Sequence, residues 1–159
     1  MPADSGDVSF ITLHLNSARR ESPMPRTIIV SLPVTDLSAA KVFYTALGFT
    51  NDPKFSDGSA AHMVWSESIS TMLLTHEKWR SFTTRPIPPK NSSEVALNIS
   101  CDSREHVDAM NKAASEHGGI ADINPVEDHP FMYGRDFADP DGHIWGAQWM
   151  EPSAMPSKP

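Results

Sequence analysis

The chain has 159 residues, 39% of them hydrophobic, which is enough for one buried core and too few for two ordinary domains. Its single cysteine, Cys101, excludes an internal disulfide, and with no basic leader segment the sequence predicts a soluble cytoplasmic protein. The net charge of −7 argues against nucleic acid as a partner, and no apolar run approaches the roughly 20 residues of a membrane span. A small molecule is the expected partner.

The two ends of the chain lack the patterns of a packed element. Residues 1–24 show no sustained periodicity and predict a disordered extension, and residues 152–159 are proline-rich and predict a flexible tail. The sequence therefore predicts a single domain over residues 25–151.

The first half of this domain, residues 27–76, has the pattern of one module. Residues 28–34 alternate in the manner of a strand, Thr35 or Asp36 can cap a helix, and apolar residues spaced by three and four follow from Leu37 to a stop at Gly48. Three further strands are predicted over residues 49–55, 61–65 and 71–75. The order is βαβββ.

The same order restarts after a proline-containing linker over residues 77–93. In the second module, residues 94–150, a strand precedes a helix that Asp102 and Glu105 would cap in capping-box form. Strands are predicted over residues 94–100, 120–126, 131–137 and 143–150. Two such modules, offset by about 66 residues if Asp36 and Asp102 correspond, predict an α+β fold. An ordinary α+β sandwich is the alternative.

Three motifs resemble those of a known superfamily. They are Leu32-Pro33-Val34-Thr35-Asp36-Leu37, Phe43-Tyr44-x-x-Leu47-Gly48-Phe49 and Phe137-x-Asp139-Pro140-Asp141-Gly142-His143. On these motifs, residues 27–150 resemble the vicinal-oxygen-chelate superfamily, which includes lactoylglutathione lyase and other glyoxalase-like proteins, ring-cleaving dioxygenases and bleomycin resistance proteins. The resemblance implies a glyoxalase-like fold whose two βαβββ modules form a shared cavity. Residues 139–142 are also a favourable β-turn, which suggests a structural role for that piece.

The resemblance also implies where a metal would bind. In metal-using members, four strand positions usually supply His and Glu ligands to one divalent ion, and the motifs place these positions on Ile29, Leu73, Glu94 and Gly146. Only Glu94 can ligate, and one carboxylate does not hold a hard divalent cation. We therefore expect no cofactor. One divalent metal ion, held by substitute ligands such as His76 and His143 together with Glu94, stays open as the alternative.

Alternation along the strands predicts which residues face the helices and which face a cavity. The apolar sets expected under the helices are Ile28, Val30, Leu32 and Val34; Met72 and Leu74; Val95, Leu97 and Ile99; and Trp145, Ala147 and Trp149. The opposite faces would carry Ser31; Thr71, Leu73 and Thr75; Glu94, Ala96, Asn98 and Ser100; and Gly146, Gln148 and Met150. A wetted sheet face is the competing interpretation, but small residues in place of Lys, Arg and Glu favour a cavity.

Three further residues have an open role at this stage. Tyr133 and Arg135 share one face of a predicted strand and could hydrogen-bond an anionic or carbonyl group, although Phe131 and Phe137 on that face favour core packing equally. The facing of His62 is not determined by the pattern. The predicted cavity lining is Ile29, Ser31, Leu73, Thr75, Glu94, Asn98, Tyr133, Arg135, Gly146 and Gln148.

Three functions are compatible with these features. The first is a metal-independent protein that encloses a small polar or aromatic molecule between the modules. The second is a divalent-metal-dependent lyase, isomerase or dioxygenase, for which the usual ligands are missing. The third is a metal-free acid/base catalyst that uses Glu94. The sequence also leaves open whether the modules pair within one chain or across a homodimer.

Overall fold

The computed structural model describes residues 25–154, so the predicted extension over residues 1–24 and the end of the predicted tail lie outside the described residues. Its elements, in chain order, are β1 (Ile28–Val34), α1 (Leu37–Ala46), β2 (Thr50–Asp52), β3 (Ala60–Ser66), β4 (Ile69–Thr75), α2 (His76–Arg80), β5 (Ala96–Ser100), α3 (Arg104–Glu116), β6 (Ile120–Ala121), β7 (Glu127–His129), β8 (Met132–Ala138) and β9 (Ile144–Met150).

The strands form two sheets with the same internal order. In the first sheet the order is β1-β4-β3-β2, with β1 parallel to β4 and the other pairs antiparallel. In the second the order is β5-β9-β8-β6, with β5 parallel to β9, and β7 pairs with β8. The matching order confirms the predicted α+β fold of two βαβββ modules.

The two main helices begin at side chains that accept backbone hydrogen bonds. Asp36 caps α1 by accepting from the Ala39 amide, as predicted, and Gly48 follows the helix at φ 106°, a conformation that glycine adopts without strain. In α3 the cap is Ser103, whose Oγ accepts from the His106 amide. The predicted cap at Asp102 is therefore wrong by one residue, and the offset between the modules is 67 residues, counted from Asp36 to Ser103.

Three predicted segments differ from the structure in length. The predicted strand over residues 49–55 stops at Asp52, whose carboxylate accepts from the Lys54 amide and begins a short 3-10 turn. The strand predicted over residues 120–126 stops at Ala121, because Asp122 takes a left-handed φ of 50°. The predicted linker over residues 77–93 begins inside α2, which Thr75 caps through its Oγ1.

The helices cover one side of both sheets, and the core between them is continuous across the modules. Phe43 of α1 packs against Phe137 of β8 with ring centroids 6.3 Å apart, and Tyr44 packs edge-on against Trp145 of β9 at 5.9 Å. These four aromatic rings are almost completely buried. The modules therefore pair within one chain.

The register of β4 reverses the predicted facing of that strand. Leu73 pairs with Leu32 on one side and Ala61 on the other, and all three belong to the buried core beneath the helices. Thr71 shares that side, whereas Met72 and Leu74 face away from the helices. The prediction for β4 is wrong because Met72, Leu73 and Leu74 are consecutive apolar residues, so that alternation does not distinguish the faces.

Candidate functional site

The faces of the sheets that point away from the helices, called here the open faces, carry half of the predicted cavity residues. By register, Ile29, Ser31, His62 and Ser70 lie on the open face of the first sheet. On the second sheet, Asn98 pairs with Gly146, and Gln148 follows on the same face. The predicted cavity residues do not converge on one cavity. Ser31 and Glu94 line one cavity, and Ile29 lines another.

Two predicted cavity residues of the first module are placed elsewhere. Leu73 is fully buried in the core, so its assignment to a cavity is wrong. Thr75 lies at the end of β4, where its side chain accepts a hydrogen bond from the Lys78 amide and starts α2. Its Oγ1 is thus engaged in capping.

Tyr133 and Arg135 lie on the helix side of β8, and their predicted role in the cavity is also wrong. Tyr133 Oη donates to Asp108 at 2.8 Å, and the Arg135 guanidinium binds Asp108 at 2.8 Å and Asp122 at 2.6 Å. Hydrogen bonds from Arg135 lower the pKa of Asp108 and Asp122. The presence of Phe137 on the same face was the correct signal in the sequence.

A compact polar patch surrounds Gly146 on the open face of the second sheet. A Cβ at this position would collide with Oδ1 of Asn98 and would lie 2.7 Å from Oδ1 of Asp136. Asp136 is held by Asn124, whose amide donates to its Oδ2 at 2.7 Å. The glycine therefore allows two polar side chains to approach each other over the strand.

A cavity of about 210 Å³, called here the junction cavity, lies where the two modules and the linker meet. Module one contributes Ser31 and Pro33 to its lining. The linker contributes Trp79 and Arg85, and module two contributes Glu94 and His143. Glu94 is exposed, so it is not the enclosed carboxylate that the acid/base hypothesis requires.

The indole of Trp79 has a buried N–H with no acceptor among the described residues. A buried donor without a partner is rare in folded proteins, because it loses its hydrogen bonds to water without replacement. Trp79 was not among the predicted site residues, since a single tryptophan in a polar linker carries no pattern.

A second cavity of about 290 Å³ adjoins the junction cavity and shares Pro33, Pro88, Ser92 and His143 with it. His76 and Asp141 also line it. The linker is fixed over this region, where the Lys90 ammonium donates to the Pro140 carbonyl at 2.8 Å. The two cavities thus form one groove beneath the linker.

The residues present do not fit a divalent metal. Within residues 25–154 no group of three or more His, Cys, Asp or Glu side chains is arranged to hold an ion. Nε2 of His143 lies 2.8 Å from the Pro33 carbonyl oxygen, which engages one of its two possible ligand atoms. Ile29 lies seven residues before the α1 cap Asp36. The residue seven positions before the α3 cap Ser103 is Ala96, so the counterpart of Ile29 in module two is Ala96 and not Glu94.

The turn that follows β8 joins the modules through a buried network. Asp139 accepts from the His143 amide and from Tyr44 Oη, each at 2.8 Å, and Tyr44 Oη in turn accepts from the Trp145 indole at 3.1 Å. Burial raises the pKa of Asp139, and burial beside this carboxyl raises that of Tyr44 well above its usual value. Asp141 Oδ1 accepts from both the amide and the hydroxyl of Thr35. The structural role predicted for this turn is therefore correct.

The chain matches one protein superfamily over most of its length. The sequence profile of the Glyoxalase/Bleomycin resistance protein/Dioxygenase superfamily matches residues 27–146. The chain belongs to this superfamily. No curated protein sequence matches it.

The solved structures of three other proteins have the same fold. Hypothetical protein SA1046 from S. aureus is 23% identical, with a TM-score of 0.66 over 79% of this chain and 95% of that one. A glyoxalase-related enzyme from Fulvimarina pelagi is 18% identical, with a TM-score of 0.66 over 78% and 87% of the two chains. TnmS3, an antibiotic binding protein from Streptomyces sp. CB03234, is 22% identical, with a TM-score of 0.55 over 82% and 99%. At these identities the similarity shows the glyoxalase-like fold alone.

The described part of this superfamily member contains no helix long and apolar enough to cross a membrane.

Proposed function

We propose that this glyoxalase-superfamily protein binds a small organic molecule in the junction cavity without a metal ion. The observation that carries the proposal is the buried Trp79 N–H, which has no acceptor within the described chain. A ligand oxygen that accepts this hydrogen bond would relieve a penalty of about 1–3 kcal/mol. The metal-dependent lyase, isomerase or dioxygenase alternative receives no support from the side chains that line the groove.

The lining of the junction cavity indicates what kind of ligand would fit. The indole of Trp79 together with Pro33 and Leu97 offers apolar contact for an aromatic or aliphatic body. Arg85 supplies a cation that suits a carboxylate or carbonyl oxygen, and Ser31 supplies a hydroxyl. A volume of about 210 Å³ is below the roughly 300–1,000 Å³ of sites for drug-sized ligands, so a single substituted ring is the expected size.

One solved structure with this fold is consistent with a binding role. TnmS3 is an antibiotic binding protein, and it shares the fold across 82% of the present chain. A protein of this fold can thus bind a small organic molecule. We propose the same kind of role here, with an aromatic carboxylate or amide as the ligand class.

Two-dimensional ¹⁵N NMR of the tryptophan side chains tests this proposal directly. Benzoate and benzamide would be titrated into the protein, and the Trp79 indole signal would be assigned with a Trp79→Phe variant. We expect the Trp79 signal to move downfield as its N–H gains an acceptor. The Trp145 signal is an internal control, because that indole already donates to Tyr44 in the core.

A variant at the edge of the cavity completes the experiment. Arg85→Gln should weaken the binding of benzoate more than the binding of benzamide, because only benzoate is charged. Arg80→Gln, a variant of an arginine that lines only the adjoining cavity, serves as the matched control. If neither compound moves the Trp79 signal, or if both move Trp145 equally, the junction cavity is not a binding site for this class of molecule.

A further inference from the structure

Asp52, His62 and Ser70 lie side by side on the open face of the first sheet. Asp52 at the end of β2 pairs directly with His62 of β3. Ser70 of β4 lies diagonally across from His62, whose direct partner is Met72. Because side chains on adjacent strands that share a face approach within contact distance, these three strands align an acid, an imidazole and a hydroxyl.

The three side chains are arranged in the order of a serine nucleophile, a histidine base and a carboxylate that orients the histidine. Nε2 of His62 lies 2.9 Å from Ser70 Oγ, and Nδ1 of His62 lies 3.7 Å from Asp52 Oδ2. The other Asp52 oxygen accepts from the Lys54 amide, which leaves Oδ2 directed at the imidazole. Nδ1 is buried and has no hydrogen-bond partner among the described residues.

A carboxylate at the position of Asp52 favours the imidazole tautomer that chemistry at Ser70 requires. A proton on Nδ1 is favoured beside a carboxylate, so that Nε2 presents its lone pair to the serine hydroxyl. The separation of 3.7 Å is longer than a hydrogen bond, as is common for such groups before a substrate binds. The ring of Phe55 lies edge-on to the imidazole, with centroids 5.8 Å apart.

A cavity of about 190 Å³ gives access to this group. His62 and Ser70 line it together with the apolar residues Ile29, Val64 and Ile69. This cavity is separate from the junction cavity, and no lining residue is shared between them. These apolar residues and the small volume fit a short acyl chain.

We propose that Ser70, His62 and Asp52 form an acyl-transfer site that accepts the acyl group of small esters. Ser70 Oγ attacks the ester carbonyl carbon while its proton passes to Nε2 of His62. The bond from carbonyl carbon to alkoxy oxygen then breaks, and the alcohol leaves with the proton from His62. Water attacks the acyl-serine with His62 again as base, releasing the carboxylic acid and restoring Ser70. Asp52 is a positioning residue that holds the imidazole.

Reaction of the intact protein with p-nitrophenyl acetate tests this site. We expect release of p-nitrophenolate and the mass of one acetyl group on the peptide that contains Ser70. Ser70→Ala should abolish this acetylation. His62→Gly should slow it by about 100-fold or more, the usual contribution of a general base, and added imidazole should restore the rate in that variant.

The role of Asp52 is tested by Asp52→Asn, which keeps an oxygen for the Lys54 amide but removes the charge. We expect at least a tenfold slower acetylation with an unchanged melting temperature, a separation that a purely structural role would not produce. Ser100→Ala is the matched control, because Ser100 lies on the open face of the other sheet. Burial raises the pKa of Cys101 to about 11, so this thiol should not compete for the reagent.

Peptide mapping of the wild-type protein keeps the test independent of variant folding. The proposal is overturned if the acetyl group is found on His62, Cys101 or a surface residue, or if the protein shows neither acetylation of Ser70 nor catalytic release of p-nitrophenolate. It is also overturned if Ser70→Ala reacts at the wild-type rate. Neither result would bear on the junction cavity, which uses different residues.

Discussion

At the scale of single residues, Arg135 is the charged side chain on the helix side of β8. Its guanidinium binds Asp108 of α3 and Asp122 beyond it, and hydrogen bonds to Arg135 are the largest cause of the lowered pKa of both carboxyls. A lowered folded-state pKa means that the folded protein favours the ionised form. This contribution to stability is present above the unfolded aspartate value of about 3.9 and is lost as the pH falls through the folded values.

Replacing Arg135 by Met should therefore destabilise the protein in a pH-dependent way. We expect a loss of about 1 kcal/mol at pH 7, kept small because both carboxylates are more than a third exposed. The loss should shrink as the pH falls below about 4, where the carboxylates are protonated. Urea unfolding at several pH values measures it.

Lys112→Met is the matched control for this measurement. Lys112 and Glu116 form an ion pair at 3.7 Å with both side chains more than half exposed, so its loss should have little effect. An Arg135→Met penalty that persists unchanged at pH 3 would show that packing of the long side chain, and not its charge, accounts for the stability.

Gly146 offers a second test at this scale. Gly146→Ala should destabilise the protein by about 1–3 kcal/mol, because its Cβ would displace Asn98 and Asp136 from above the strand. Asn98 is exposed and can move, so Asn98→Ala should recover part of this loss in the double variant. A double-variant cycle with urea unfolding measures the coupling, and strictly additive effects would contradict the proposed contact.

At the scale of elements, strand and helix boundaries were predictable where the sequence carried one clear signal. Residues 28–34 form β1 as predicted, because branched side chains alternate there and a capping aspartate follows. The prediction failed at β4, where three consecutive apolar residues fit either face. It also failed at β7, whose residues Glu127, Asp128 and His129 are all polar, since Arg104 holds that strand through Asp128 and the His129 carbonyl.

The candidate sites were predictable only where the alternation of side chains along a single strand decided them. Ser31, Asn98 and Gly146 were placed correctly on the open faces, because alternation fixes the facing of β1, β5 and β9. The site at Trp79 depends on how the linker folds back over the groove, which no local pattern encodes. The approach of Asp52 and Ser70 to His62 depends on the pairing of three strands, and a sequence pattern does not give the register.

The linker itself can be displaced by a single change in the turn beneath it. Gly142 has φ 90°, and a Cβ there would collide with the backbone of Lys90. Gly142→Ala should destabilise the protein by about 1–3 kcal/mol and move the linker away from the groove. The same variant should weaken the effect of benzoate on the Trp79 NMR signal. Gly58→Ala is the control, because a Cβ at that position meets no atom within 4 Å.

At the scale of the whole molecule, the hydroxyl of Tyr44 joins the two modules through Asp139 and Trp145. Burial raises the pKa of Asp139, so its contribution to stability is full below the unfolded aspartate value and is lost as the pH rises through the folded one. The hydrogen bond from Tyr44 acts against burial by stabilising the ionised carboxylate. The stability of the interface between modules should therefore depend on both groups.

Tyr44→Phe tests this link. We expect a loss of about 1–3 kcal/mol at pH 7, since Asp139 and the Trp145 N–H both lose a buried partner. The loss should be smaller at pH 4, where a larger share of Asp139 is protonated. Tyr133→Phe is the matched control, because Tyr133 donates to an exposed carboxylate that water can solvate. Equal losses in the two variants would contradict a buried link at Tyr44.

The continuous core predicts that the two modules unfold as one unit. Phe137 of module two is fully buried against Phe43 of module one, so neither module retains its core without the other. Phe137→Ala should lower stability by about 3–5 kcal/mol. Amide hydrogen exchange should show this loss equally in β4 and β9, although only β9 belongs to the altered module. Val42→Ala on the exposed side of α1 should change neither strand, since Val42 is 60% exposed. Loss of protection confined to β9 would show that the modules open independently, and the shared core would then not account for the stability of the chain.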